Sequence, residues 1–219
     1  MNMLPVLACT LPILIAGYLL YFYFRARKMQ TAKILAKCTA TLMCAAAAYA
    51  GLAANSHSVW TSLLFWGVIA CALGDGLLEI HFISGMAAFG AGHVLLAIWI
   101  YALFPLYGGA SLLIIVIWTA AYALALGAFH KYLRSIGTMK IAFLLYAALL
   151  MGMAAMAVVL PLRVGVKALS VAVGGALFAI SDMFVAKGFF DKLSPVWDRF
   201  ALAIYYIGVY CLAIGAWFL

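Results

Sequence analysis

The chain has 219 residues, of which 70% are apolar and 8% charged, with a formal net charge of +8 and only five acidic residues. A soluble domain carries about 25% charged residues, so this composition, with a mean hydropathy of +1.23, excludes a soluble globular protein. The basic residues sit in short connections between apolar runs rather than in a stripe, which argues against a nucleic-acid partner and for a protein threaded through a membrane.

A membrane span needs about 20 mostly apolar residues. Eight segments fit, at approximately 4–24, 34–53, 60–78, 86–104, 110–129, 141–160, 168–186 and 200–219. The expected fold is therefore an all-α membrane protein, a bundle of eight transmembrane helices in one polytopic domain. The first segment has no basic stretch before it and no small-residue cleavage site after it, so it reads as a retained helix. Cys9, Cys38, Cys44, Cys71 and Cys211 are scattered through the apolar runs without a C-x-x-C pair and read as small packing residues.

Alternate connections carry Arg25, Arg27, Lys28, Lys33 and Lys37; then none; then Lys131, Arg134 and Lys140; then Lys187, Lys192 and Arg199. The opposite side has only Arg163 and Lys167. The positive-inside rule makes the first side cytoplasmic and puts both termini outside, as in a multi-pass protein of a bacterial inner membrane.

With that topology, Asp75 and Asp182 fall near the inner ends of the third and seventh spans. Lys37 opens the second span, His93 lies about two turns into the fourth, and Tyr205 and Tyr206 reach a similar depth on the eighth. "ALGDGLL" (72–78) and "AISDMFV" (179–185) share A-[LI]-[GS]-D-x-[LF]-[LV]. Both stand on the third span of a four-span half and run the same way, which suggests two parallel four-helix halves.

A carboxylate at mid-span costs at least ~2.5–3.5 kcal/mol on insertion scales, and less near an end. The bland explanation is that each acid snorkels to water or pairs with a neighbouring lysine, and it suits Asp191 and Asp198, which share a connection with Lys192 and Arg199. It suits Asp75 and Asp182 less well. Each follows a small residue, Gly74 or Ser181, that lets another backbone or a ligand come close. Glu79, at i+4 from Asp75, shares its face, and two acids so placed raise the pKa of at least one; a solvated loop glutamate is the alternative. His93 reads either as a satisfied core histidine or as part of the polar cluster, and His57 falls in an outer connection. His81, His93, His130 and Asp75 could supply zinc ligands, yet no H-x-x-x-H or H-E-x-x-H pair sets two of them on one face, so no metal site is expected.

In order and spacing, "GDGLL" (74–78), "GMAAFGAGH" (85–93), "YAALLMGMA" (146–154), "GALFAISD" (175–182) and "YY" (205–206) resemble the YhhN-like lysoplasmalogenase family of integral membrane proteins. The chain differs from the family pattern where Cys38, rather than Pro, follows Lys37, and at Leu96 and Val209. The resemblance implies a lysoplasmalogenase, an ether hydrolase that splits the vinyl ether of alkenyl-glycerophosphocholine or -ethanolamine into a fatty aldehyde and the glycerophospho-base. It implies a lysophospholipid substrate, Asp75 and Asp182 as catalytic residues, and Lys37, Glu79, His93, Tyr146, Ser181 and Tyr205 around the substrate.

The residue types suit that chemistry. Vinyl ethers are cleaved by protonating the alkenyl carbon, which creates an oxocarbenium ion that water captures. A carboxylic acid kept protonated in an apolar site supplies the proton. A second, ionised carboxylate steadies the cation and deprotonates water, as the acid pair of a glycosidase does. No metal or organic cofactor is required. The alternatives are a zinc-dependent membrane lipid hydrolase using the histidines and a small proton-coupled transporter using the two aspartates as a relay.

Overall fold

The computed structural model describes residues 2–219 except 56–58, 108–110, 135 and 138, and leaves out the side chains of 59–61, 105–107 and 111. His57 lies outside the described residues. Eight long helices follow one another: α1 (Met3–Ala26), α2 (Gln30–Ala54), α3 (Val59–Leu78), α4 (Phe82–Tyr107), α5 (Ser111–Leu133), α6 (Met139–Val159), α8 (Leu169–Phe190) and α9 (Pro195–Gly215). A single helical turn, α7 (Pro161–Val164), and a short 3-10 segment join α6 to α8. Seven stretches are long and apolar enough to cross a membrane, and α3 is apolar over Ser62–Leu78. The described chain is an all-α membrane bundle.

Seven of the eight long helices overrun the expected spans at the basic end, and α3 ends at Leu78 as expected. Hydropathy marks the stretch that sits in hydrocarbon, whereas a helix continues into the interface as long as its side chains reach water. Helix α2 starts at Gln30, so Lys37 lies two turns inside it instead of opening it. Helix α4 starts at Phe82, putting His93 about three turns in, and α8 runs to Phe190, leaving Asp182 about two turns short of its end.

Lipid offers no hydrophobic drive between helices, so close packing of small residues has to supply the contact. A Cβ on Gly74 would stand 2.5 Å from the Phe89 ring, and one on Gly174 would stand 2.7 Å from the Gly208 carbonyl oxygen. Those glycines draw α3 against α4 and α8 against α9, the third and fourth helices of each half. The first helix of each half is peripheral: 17% of the α1 span and 11% of the α5 span is buried. Across the join, α2 packs on α9 and α4 on α6, so the second helix of either half meets the fourth of the other. The duplication suggested by the two Asp motifs is thus repeated in the packing.

Candidate functional site

Asp75 stands in the last turn of α3 and is 1% exposed. Its Oδ2 accepts hydrogen bonds from the Thr41 hydroxyl and from Tyr205 Oη, the latter at 2.9 Å. Its Oδ1 faces Lys37 Nζ at 3.5 Å. Lys37 and Thr41 are i and i+4 on α2, which is why one helix face supplies both donors. Tyr206, next to Tyr205, turns the other way and donates to the Lys37 carbonyl at 3.2 Å, fixing α9 against α2.

Glu79 lies one residue beyond α3, and three side chains from α1 and α2 converge on it. Lys37 Nζ is 3.3 Å from Oε1 and Lys33 Nζ 2.8 Å from Oε2, while Tyr21 Oη donates to Oε1 at 2.8 Å. Burial would raise its pKa, but the Lys37 charge, with the Lys33 and Tyr21 hydrogen bonds, outweighs burial and brings it from 4.5 down to about 2. Glu79 is therefore not the acid whose pKa two close carboxylates would raise. The lysine pair neutralises it.

Asp182 is met from two other helices. Its Oδ2 accepts from Tyr146 Oη on α6 and from His93 Nε2 on α4, the latter at 3.1 Å, and the phenol and imidazole are themselves 3.1 Å apart. His93 is fully buried, with its ring 4.8 Å from that of Phe178, and its Nδ1 has no partner among the described residues. The hydrogen on the ring therefore belongs on Nε2, where it has an acceptor.

The two aspartates follow one rule. Each sits on the third helix of its half, and each takes a donor from the second helix of its own half (Thr41 or Tyr146). Each takes another from the fourth helix of the opposite half (Tyr205 or His93).

Both carboxyl groups face a single cavity of about 900 Å³, within the usual range for a small-molecule site. Phe89 and Tyr205 form part of its wall, with their rings 5.8 Å apart. Arg25, Lys33, Lys192 and Arg199 line it at the basic end, where Phe82 and Phe189 stack at 4.0 Å. Arg25 is bridged to Asp198 and Lys33 to Glu79. Arg199, over the Phe22 ring at 5.7 Å, and Lys192 have no acidic partner among the described residues.

Lys37, Glu79, His93, Tyr146 and Tyr205 thus surround the two aspartates. Ser181 also lines the cavity, but its hydroxyl donates to the Ala201 carbonyl at 3.0 Å, tying α8 to α9. Asp198 pairs with Arg25 on another helix rather than with its neighbour Arg199, and Asp191 receives a hydrogen bond from Tyr132. His81 bonds Ser84 on the surface and His130 is exposed. Among the described residues no three His, Cys, Asp or Glu side chains are grouped as metal ligands. Thr41, Tyr21 and Lys33 were missed by the sequence reading. Thr41 carried a usable signal, being one helical turn from Lys37.

The described chain is thus a multi-pass helical membrane protein with two buried carboxyl groups on one cavity. The chain is a member of the YhhN family, the family of lysoplasmalogenases, whose profile matches residues 32–216. That stretch contains both aspartates and every side chain described around them and their cavity except Tyr21, Phe22 and Arg25. At the family level the associated activity is hydrolysis. No curated protein and no solved structure matches the chain.

Proposed function

We propose that the protein hydrolyses the vinyl ether bond of lysoplasmalogens, releasing a fatty aldehyde and glycerophosphocholine or glycerophosphoethanolamine. The observation that carries this reading is the meeting of two buried carboxyl groups, Asp75 and Asp182, on one cavity with a cationic mouth. A single-chain amphiphile fits that shape. Its alkenyl tail lies among the aromatic walls, its ether bond between the carboxyl groups, and its phosphate at the mouth near Arg199 and Lys192.

One carboxyl group gives a proton to the alkenyl carbon, and the other carboxylate steadies the oxocarbenium ion that results. Water then adds to the carbon bonded to oxygen, and the hemiacetal splits into aldehyde and glycerol hydroxyl. The low-dielectric bundle strengthens each of these charge interactions relative to water. Lys37, Thr41 and Tyr205 position Asp75, and His93 and Tyr146 position Asp182; Glu79 acts through Lys37. The chemistry needs no metal or organic cofactor.

The excess of Lys and Arg at the mouth supports a cytoplasmic opening, with both termini outside a membrane of the bacterial inner type. Reporter fusions in the α5–α6 connection should then read cytoplasmic and fusions near Arg163 external; the reverse would move the mouth to the other leaflet. The reaction itself is tested by incubating purified protein with alkenyl and ester lysolipids and analysing the products by mass spectrometry. Free aldehyde from the alkenyl lipid alone is expected. Fatty acid released from the ester without aldehyde, or uptake into liposomes without any product, would contradict it.

A further inference from the structure

The two carboxyl groups differ in which of their oxygens are occupied. Asp75 has donors on both: Lys37 on Oδ1, Thr41 and Tyr205 on Oδ2. Oδ2 of Asp75 already takes two donors, and a proton on Oδ1 would sit against the Lys37 ammonium. Asp182 has both of its donors, Tyr146 and His93, on Oδ2, and no described group donates to its Oδ1.

Asp182 also lacks a fixed countercharge. Among the described residues no Lys or Arg lies within ion-pair distance of it, and its one basic neighbour is His93, fully buried with no acceptor at Nδ1. A bare carboxylate in an apolar bundle is costly, whereas a carboxylic acid accepting two hydrogen bonds on its carbonyl oxygen and keeping O–H for the cavity is satisfied. Asp182 is 8% exposed against 1% for Asp75, so it is the more accessible of the two from the cavity.

We infer that Asp182 is the proton donor, carrying its hydrogen on Oδ1, and that Asp75 is the anionic member of the pair, held so by Lys37, Thr41 and Tyr205. This assignment rests on the vinyl ether reading above and divides its labour. Asp182 Oδ1–H passes its proton to the alkenyl carbon farther from the ether oxygen; the π electrons form the new C–H bond, leaving an oxocarbenium ion. Water attacks the carbon bonded to oxygen and returns a proton to the Asp182 carboxylate. The hemiacetal hydroxyl then loses its proton to the departing glycerol oxygen as the C–O bond breaks and the aldehyde C=O forms. Asp75 keeps its charge throughout, facing the Lys37 ammonium. Asp182 is thus acid and then base, and the cycle closes without a further reactant.

The test is infrared spectroscopy of the substrate-free protein in lipid at neutral pH, watching for the carbonyl stretch of a protonated carboxyl group that shifts in D₂O. The chain has only five acids, and three of them, Glu79, Asp191 and Asp198, are engaged with Lys33 and Lys37, with Tyr132 and Lys131, and with Arg25 respectively, outside the buried pair. The wild type should show the band, Asp75→Asn should keep it, Asp182→Asn should lose it and Asp182→Glu should move it. A wild type without the band, or an Asp75→Asn protein that lacks it, overturns the assignment. Asp75→Asn decides the matter even where Asp182→Asn fails to fold. Because no substrate is present, the result stands apart from whether the protein cleaves a vinyl ether, which aldehyde release decides.

Discussion

Lys37 and Asp75 face each other inside the bundle, Nζ 3.5 Å from Oδ1, with side chains 9% and 2% exposed. A buried pair of this kind is weak evidence for stability, since replacing both partners by apolar groups is often neutral, but removing one leaves the other unpaired. Lys37→Met should therefore disturb Asp75 more than it disturbs the fold. We expect kcat to fall at least about tenfold with KM changed less, the pattern of an interaction lost mainly in the transition state. Steady-state kinetics on purified protein checks this; an unchanged kcat would detach Lys37 from the site.

Asp75→Asn and Asp182→Asn should each lower turnover by at least about a hundredfold, the scale for losing a positioned acid or its charged partner. Neither substitution should unfold the protein, since the asparagine amide keeps a carbonyl oxygen for the donors that each aspartate accepts from. The two groups serve one barrier, so the double variant should be little slower than either single one. Aldehyde release measured on folded variants checks all three points, and activity near wild type in either single variant would sink the paired-carboxylate mechanism.

Glu79 ties α1, α2 and α3 together, and its carboxyl is held at about 2, below its ordinary 4.5. A pKa lowered by folding contributes stability that is complete above the unfolded value and is lost as pH falls through the folded one. Wild-type protein in detergent should thus lose thermal stability between about pH 4.5 and 2. Glu79→Gln should already be less stable at neutral pH, because Lys37 then keeps only Asp75, and should show less of that acid loss. Apparent melting midpoints across this range, at one scan rate, provide the check.

The bundle was legible because helices in lipid must satisfy their own backbone and leave long apolar runs. Asp75 and Asp182 were legible because charge inside such runs is costly and rarely kept without use. The crossing of donors between halves was not. Nothing local to Tyr205 says that it serves Asp75 while His93 serves Asp182; that follows from α9 packing on α2 and α4 on α6. Ser181 lines the cavity beside Asp182, but that its hydroxyl serves the Ala201 carbonyl follows from α8 packing on α9 and nothing local shows it. Thr41 escaped notice although it stands one helical turn from Lys37, because its acceptor lies on another helix.

Arg199 lines the cavity with its guanidinium over Phe22 and no carboxylate to neutralise it among the described residues. A phosphate at the mouth would take that place through a charge-assisted hydrogen bond. Arg199→Ala should raise KM for lysolipids by about tenfold or more, the worth of one such bond, and leave kcat nearly unchanged. The KM of the wild type should also rise with salt more steeply than that of the variant. Equal salt dependence would remove Arg199 from phosphate recognition.

In the proposed reaction the vinyl ether is opened by a proton delivered to carbon. Turnover of an alkenyl lysolipid in D₂O, with mass spectrometry of the released aldehyde, tests it most directly. The expected product is an aldehyde of full chain length with one deuterium on the carbon next to the carbonyl. An aldehyde without that deuterium, a shortened chain, or no aldehyde at all would contradict the account.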